Sequence, residues 1–434
     1  MESRTVVGAG TVRSCPQCGT RISIEERYVQ WCAACDWNVD PGAPEPVAGR
    51  IAAARRRLAQ GYGEQLAAEM ERDGVGDGPA GRDAATVAAF ALSLLVHGVT
   101  VMLVVAGVLL IVLGWDTGVQ PVVGALMLGL AVVLRPRPAR LPKHAPVLYR
   151  ADAPRLFELI DEVGAAVGAA GVHAVVVTPG ANASVTTYGL RGRRVMELGL
   201  GLWEVLAPQE RVALLGHELG HFAHGDTRRG LVTHGALRAL DTWCYVLART
   251  EPTGLMDRFV NAVTFLPRWA AYGLLVLLDH LTLRASQRAE YLADVSAARA
   301  GSTEGTVGLM DRLLIAPVIG SELRRVSVAA QMRGGQAGRE AREAAEHGLW
   351  ERLAAHVAAV PEHEYERLRR VAARRGHQVD STHPPTHLRR RCAAAGAPYP
   401  AQVVWDGARA VAVAAELAPA RAAAARRVIR DFAR

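Results

Sequence analysis

The chain has 434 residues, half of them hydrophobic and only 5% aromatic, with a formal net charge of +8. That length allows two or three modules, and the composition excludes a disordered or fibrous chain. A basic balance suits either nucleic acid or the anionic face of a membrane, and the position of the charges along the chain decides between them.

Four of the six cysteines lie in the first 35 residues, as Cys15-Pro16-Gln17-Cys18 and Cys32-Ala33-Ala34-Cys35, while Cys244 and Cys392 stand alone. Two such knuckles predict a tetrahedral zinc site of ribbon type over residues 1–40, because four thiolates at about 2.3 Å complete the coordination shell. Its task is folding, since so small a module cannot build a core without metal. A redox pair or a rubredoxin-like iron is the alternative. The segment lacks a dense basic and aromatic face, so no nucleic-acid partner is expected, and docking of substrate or a partner fits better. Arg4 and Arg13 occupy the place where a signal peptide would be apolar, and the cysteines do not form a spread disulfide framework. The module is therefore expected in the reducing cytosol.

Residues 41–83 read as a short helix and a linker containing Gly74, Gly76, Gly78 and Pro79. From Val87 to Leu113 no Asp, Glu, Lys or Arg occurs, which exceeds the roughly 20 residues a helix needs to cross a bilayer. A second uncharged run, Thr117 to Leu134, follows a short connection. Residues 84–140 are thus expected to form a transmembrane helical hairpin, the other reading being two buried core helices. Arg55, Arg56, Arg57, Arg72 and Arg82 precede it, and Arg135, Arg137, Arg140 and Lys143 follow it. Its tip carries neither Lys nor Arg, so both flanks are expected in the cytoplasm, in a multi-pass protein of the cell membrane.

Residues 145–395 have the pattern of a mixed domain. Helical spacing covers 153–170, and strands are expected over 172–178, 183–188 and 194–198. A helix opens at Ala207-Pro208-Gln209-Glu210, with Pro in its first turn. The apolar stretch 260–283, broken by Pro267, Arg268 and Asp279, reads as a third span, a re-entrant segment or a core helix. Residues 396–434 are expected to be a separate helical region. The fold class expected is α+β, mainly helical, with a small sheet.

His217-Glu218-Leu219-Gly220-His221 lies in an apolar, helix-patterned segment. Four residues of helix turn the chain by about 400° and advance it about 6 Å, so both imidazoles leave one face and can share a metal. Glu218 stays close enough to reach a water beside that metal, the place of a general base. A catalytic zinc needs a third protein ligand and an open fourth position.

His217–His221, then Asp226, then Glu290-x-x-Ala293-Asp294, resembles the HtpX family of membrane-integrated zinc metallopeptidases, gluzincins related to the CAAX prenyl endopeptidases. Asn182-Ala183 is similar to that family's Asn-Ala pair before the active site. Ser381-Thr382-His383-Pro384-Pro385-Thr386 with Arg389 is similar to its Thr-His-Pro-Pro segment and trailing arginine. The resemblance covers roughly residues 145–391. It implies a gluzincin domain with zinc on His217, His221 and Glu290 and with Glu218 activating the water. Asp294 and Asp226 would be outer carboxylates, Asp294 orienting a histidine ligand. Asn182 and Ala183 would line the substrate cleft. His383 and Arg389 would fold back over the zinc and donate to the oxyanion. Ser184 and Gln287 depart from the family pattern.

The function expected is a cytosol-facing, membrane-embedded zinc endopeptidase acting on membrane or misfolded polypeptides, with one catalytic and one structural Zn2+. A peptidase for one precursor, or a silent membrane scaffold recruiting partners through its ribbon, are the alternatives. The partners expected are polypeptide substrates and membrane lipid, and the sequence sets no oligomeric state.

Overall fold

The computed structural model describes residues 11–42, 49–73, 84–135, 140–189, 191–223, 229–332, 334–376, 383–396 and 398–431. The molecule is mainly helical, with two small sheets.

Strands β1 (Thr11–Ser14) and β2 (Arg21–Ile24) form an antiparallel hairpin beside the cysteines. Cys15, Ile22 and Cys32 are buried together there, with Trp37 against them. The module is held on the body of the protein by charge. Asp36 accepts hydrogen bonds from Arg370 and, at 2.7 Å, Arg374; Asp40 pairs with Arg375; and the Arg370 guanidinium stacks over the Trp31 ring at 5.0 Å.

Helix α1 (Gly49–Asp73) is longer than the short helix expected before the linker. It is not a spacer, because Leu66 and Ala67 are buried against Tyr291 and Leu388. The glycines and proline assigned to the linker lie outside the described residues.

Helices α2 (Ala84–Leu113) and α3 (Val119–Leu134) are the two arms of the expected hairpin, joined by a turn at Trp115–Thr117. Among the described residues α2 alone is, as one helix, long and apolar enough to cross a membrane. Only 11% of its apolar stretch is buried, and Leu95, Val101, Met102, Leu109 and Leu126 point outward. A core helix would hide these side chains, whereas here they are exposed. The α3 arm, at about 1.5 Å per residue, spans about 24 Å, somewhat less than a bilayer's hydrocarbon layer.

The second sheet has the order β3–β4–β6–β5, from β3 (Val147–Leu148), β4 (Ala174–Thr178), β5 (Ala183–Tyr188) and β6 (Arg193–Gly199). β4 and β6 run parallel, while β5 pairs antiparallel with β6 and forms an edge. Helix α4 (Pro154–Val167) precedes β4 and covers this sheet with Leu156, Phe157, Leu159, Ile160 and Val163, all fully buried. The strands predicted at 172–178, 183–188 and 194–198 are all present, with ends moved by at most two residues.

After the short α5 (Leu200–Trp203), helix α6 (Pro208–Ala223) starts as its sequence dictates. Proline fills the first helical position, where no N–H is required, and Glu210 reaches back to accept from the Ala207 N–H at 2.7 Å. α7 (Arg229–Val246) and α8 (Leu255–Val263) lead into α9 (Phe265–Gly301), 37 residues long. The apolar stretch 260–283 thus falls mainly on the first half of α9. α8 and α9 meet at a 44° bend and pass as a membrane segment only when taken together.

The remaining helices are α10 (Thr303–Leu314), α11 (Ala316–Gln331), α12 (Gly335–Glu346), α13 (Leu349–Ala358), α14 (Glu362–Arg375), α15 (Thr386–Ala395) and α16 (Gly407–Asp431). The expected break near residue 396 is not structural. Val413, Leu417, Val428 and Ile429 of α16 are buried in the main core, and Glu416 caps α4 by accepting from the N–H groups of Arg155 and Leu156. Burial of its apolar face joins α16 to the central domain.

Candidate metal centre

The site forms where α6 crosses α9. Gly216 and Gly220, one turn apart on α6, lie against Ala293, Ser296, Ala297 and Ala300 of α9, so close that a Cβ at Gly220 would come within 2.7 Å of Ser296 Cβ. Small residues on both faces let the backbones approach. That approach brings the His217 and His221 side chains onto the Glu290 carboxylate.

His217 Nε2 lies 3.5 Å from Glu290 Oε2, and His221 Nε2 lies 3.6 Å from Oε1. The two imidazoles stand edge to face, 4.9 Å apart. His383, three residues before α15 begins, places Nε2 3.1 Å from Glu290 Oε2. Among the described residues, His217, Glu290 and His383 offer ligand atoms that all lie within 4.8 Å of one another, a group that does not include His221. Glu218 is buried next to His217, and burial pushes its carboxyl above the usual carboxylate range.

These residues fit a zinc ion. Two imidazoles and one carboxylate are a catalytic zinc donor set, and ligands at about 2.05 Å from a tetrahedral centre stand about 3.3 Å from one another, near the 3.5 and 3.6 Å that separate His217 and His221 from the Glu290 carboxylate. Glu290 Oε2 is buried without a well-aligned hydrogen bond, its neighbours being His383 Nε2 at 3.1 Å, His217 Nε2 at 3.5 Å and Arg389 Nη1 at 3.6 Å.

Behind the ligands lies a charged layer. Asp294 Oδ1 stands 3.0 Å from His217 Nδ1, one turn after Glu290 on α9. Arg389 is 2% exposed and donates to both Asp294 oxygens, at 2.8 and 2.6 Å. Its Nη1 comes within 3.6 Å of Glu290 Oε2. Burial opposes the charge on Asp294, but Arg389 first and then His217 outweigh it and hold its carboxyl below the usual range. Burial likewise opposes protonation of His217, yet bonds to Asp294 and Glu290 carry its pKa up to about 10. His221 lacks the Asp294 partner, and burial takes it down to about 4. The expected oxyanion role of Arg389 needs revision, because its guanidinium is committed to Asp294 beneath the ligands.

Asn182 and Ala183 lie at the start of edge strand β5, where Asn182 is exposed and its carbonyl accepts from the Gly199 N–H. Asp226 lies outside the described residues, as do Ser381 and Thr382. Gln287, marked as a departure from the family pattern, is fully buried and donates to the Ala59 carbonyl of α1 at 2.9 Å. Sequence reasoning missed this contact, because a backbone carbonyl leaves no mark in the sequence.

Residues 151–395 match peptidase family M48, and this stretch is more than half of the chain. The chain belongs to peptidase family M48. Curated M48 relatives carry the name HtpX, as the motifs suggested. "Protease HtpX homolog" of Pyrobaculum calidifontis is 28% identical over 55% of this chain and 67% of its own length. "Protease HtpX" of Xylella fastidiosa is 27% identical over 40% of this chain and 64% of its own. That of Xanthomonas oryzae pv. oryzae is 27% identical over 49% and 78%. The chain thus spans about two thirds of the length of the first of these. No solved structure matches it significantly.

The four cysteines of the N-terminal module form a second ligand group. Cys15 and Cys35 Sγ atoms are 3.7 Å apart, those of Cys18 and Cys32 are 3.6 Å apart, and all four lie within 4.8 Å of one another. A tetrahedron of sulfurs about 2.3 Å from its centre has edges of about 3.8 Å.

Proposed function

We propose that this chain is a membrane-embedded zinc endopeptidase, its catalytic domain facing the cytosol, which hydrolyses peptide bonds of membrane or misfolded polypeptides. The observation that carries the reading is the convergence of His217, His221 and the buried Glu290 carboxylate beside a buried Glu218. The outward apolar surface of α2 and α3 supports the membrane part.

His217, His221 and Glu290 would hold the zinc, which when bound polarises the scissile carbonyl and makes a water molecule acidic near neutral pH. Glu218 accepts a proton from the attacking water and delivers it to the leaving amine. An extended substrate pairs with the free edge of β5 near Asn182 and Ala183, which holds the scissile bond over the ligands. His383 donates to the developing oxyanion, a contribution of about 10²–10³ in rate for one donor. Asp294 fixes the His217 ring through Nδ1 so that Nε2 faces the metal. Cys15, Cys18, Cys32 and Cys35 would hold a second, structural zinc.

The test counts metal and turnover together. Wild type should carry about two zinc ions, Glu290→Ala about one, and Glu218→Gln still about two with turnover lower by orders of magnitude. Normal cleavage of a denatured protein substrate by Glu218→Gln would end the reading, and so would full zinc in Glu290→Ala.

A further inference from the structure

Helix α1 lies outside the stretch that matches the peptidase family, yet it is wedged between two parts of the metal centre. On one side it meets α9 around Glu290. The Tyr291 hydroxyl donates to the Gly63 carbonyl at 3.0 Å, and the buried Gln287 amide donates to the Ala59 carbonyl at 2.9 Å. On the other side it meets the chain that carries His383. A Cβ at Gly63 would stand 2.9 Å from Pro385 Cδ, 3.7 Å from Pro384 Cβ and 3.7 Å from Leu388 Cδ1. Pro385 Cδ is a ring atom tied to the backbone nitrogen and cannot swing aside as a side-chain tip can.

Two consecutive prolines are stiff, because each ring fixes its φ and the residue before it is restricted as well. A push on Pro385 therefore travels to His383 with little local yielding. His383 Nε2 is 3.1 Å from Glu290 Oε2, so even a small displacement changes that contact. We infer that α1 is a positioning part of the metal centre, with Gly63 the residue whose missing side chain sets where Pro384, Pro385 and His383 stand against Glu290.

This rests on the peptidase reading only for its kinetic consequence. Helix α1 supplies its own control: Gly61, two residues earlier, has open space where a Cβ would go. Gly63→Ala and Gly61→Ala, in the full-length protein, gain the same helix propensity and differ only in the contact with Pro385. Two measurements decide. The first is hydrogen exchange at the amides of Leu388 and Arg389, which donate to the Pro385 carbonyl at 2.9 and 3.2 Å. Gly63→Ala should exchange faster there, while Gly61→Ala should match wild type. The second is turnover. Gly63→Ala should lose about tenfold in kcat with KM little changed, and this loss should vanish when both proteins also carry His383→Ala.

Wild-type behaviour of Gly63→Ala in both measurements would overturn the inference, as would a kcat loss that persists undiminished in the His383→Ala background. If wild type itself hydrolyses nothing, the functional reading fails, and the exchange measurement alone decides this one. If Gly63→Ala does not fold, Tyr291→Phe takes its place, since it removes the bond to the Gly63 carbonyl without adding an atom. Unchanged exchange in that variant would equally refute the role of α1.

Discussion

Arg389 and Asp294 hold opposite charges where almost no water reaches, at 2% and 4% exposure. Removing one partner of such a pair leaves the other charged and buried, so Arg389→Met should destabilise the protein by about 3–5 kcal/mol in thermal or denaturant unfolding. Adding Asp294→Asn to that variant should recover part of the loss, because the stranded charge is gone. Asp294→Asn alone should instead weaken zinc binding about 10–100-fold in chelator competition, since the His217 ring loses its anionic acceptor. Unchanged metal affinity would show that α6 alone orients the ring. At this scale the placing of His217, Glu218 and His221 together on α6 was legible because their spacing is local to one helix. Glu290 and Asp294 could be read only through resemblance, since on its own their segment is an ordinary charged helix. The closeness of His383 to Glu290 depends on how α1, α9 and α15 pack, and spacing says nothing of that.

Among the elements, the cysteine module and α14 meet through Asp36, Asp40, Arg370, Arg374 and Arg375. These pairs are partly exposed, and each contributes little, about 0.2–1 kcal/mol. Asp36→Ala should therefore loosen the module without unfolding it, seen as faster proteolytic release while the core melts as in wild type. Cys32→Ser should do far more, because in the proposed ribbon it removes a ligand of the metal that so small a module needs to fold. If the two variants released the module at equal rates, docking would be more important than metal. The two knuckles were plain in the sequence, since both lie within one short segment. The length and role of α1 were not. Its Ala- and Arg-rich sequence shows no continuous apolar stripe, and it binds partly through carbonyls that any residue carries. The packing of α16 was not legible for a related reason: a core is shared between distant segments, so a helix gives no sign in its own sequence of what it packs against.

For the molecule as a whole, α2 and α3 present apolar side chains outward on most of their surface. In intact cells, a cysteine at Thr117 should react with a membrane-impermeant thiol reagent, while cysteines at Arg72 and Arg140 should be shielded. Labelling at Arg140 from outside would invert the arrangement and move the metal centre to the other compartment. The pair of apolar helices was legible because a long uncharged run has few meanings. The fate of 260–283 was harder to read, because Pro267 and Arg268 suggest a break where the structure shows the first turn of α9.

That helix has a metrical consequence. α9 runs without interruption from the exposed Trp269 to Glu290, and 21 helical steps at about 1.5 Å amount to about 32 Å. If Trp269 and Tyr272 mark the level of the lipid surface, the helix is a ruler that holds the cutting point up to that far from the membrane. An extended chain covers about 3.4 Å per residue, so a polypeptide still anchored in the bilayer needs about nine free residues to reach the site. A graded set of anchored substrates should therefore show a sharp onset of cleavage near that tether length. Equal cleavage of substrates with two or three free residues would mean that the bilayer meets α9 much closer to Glu290.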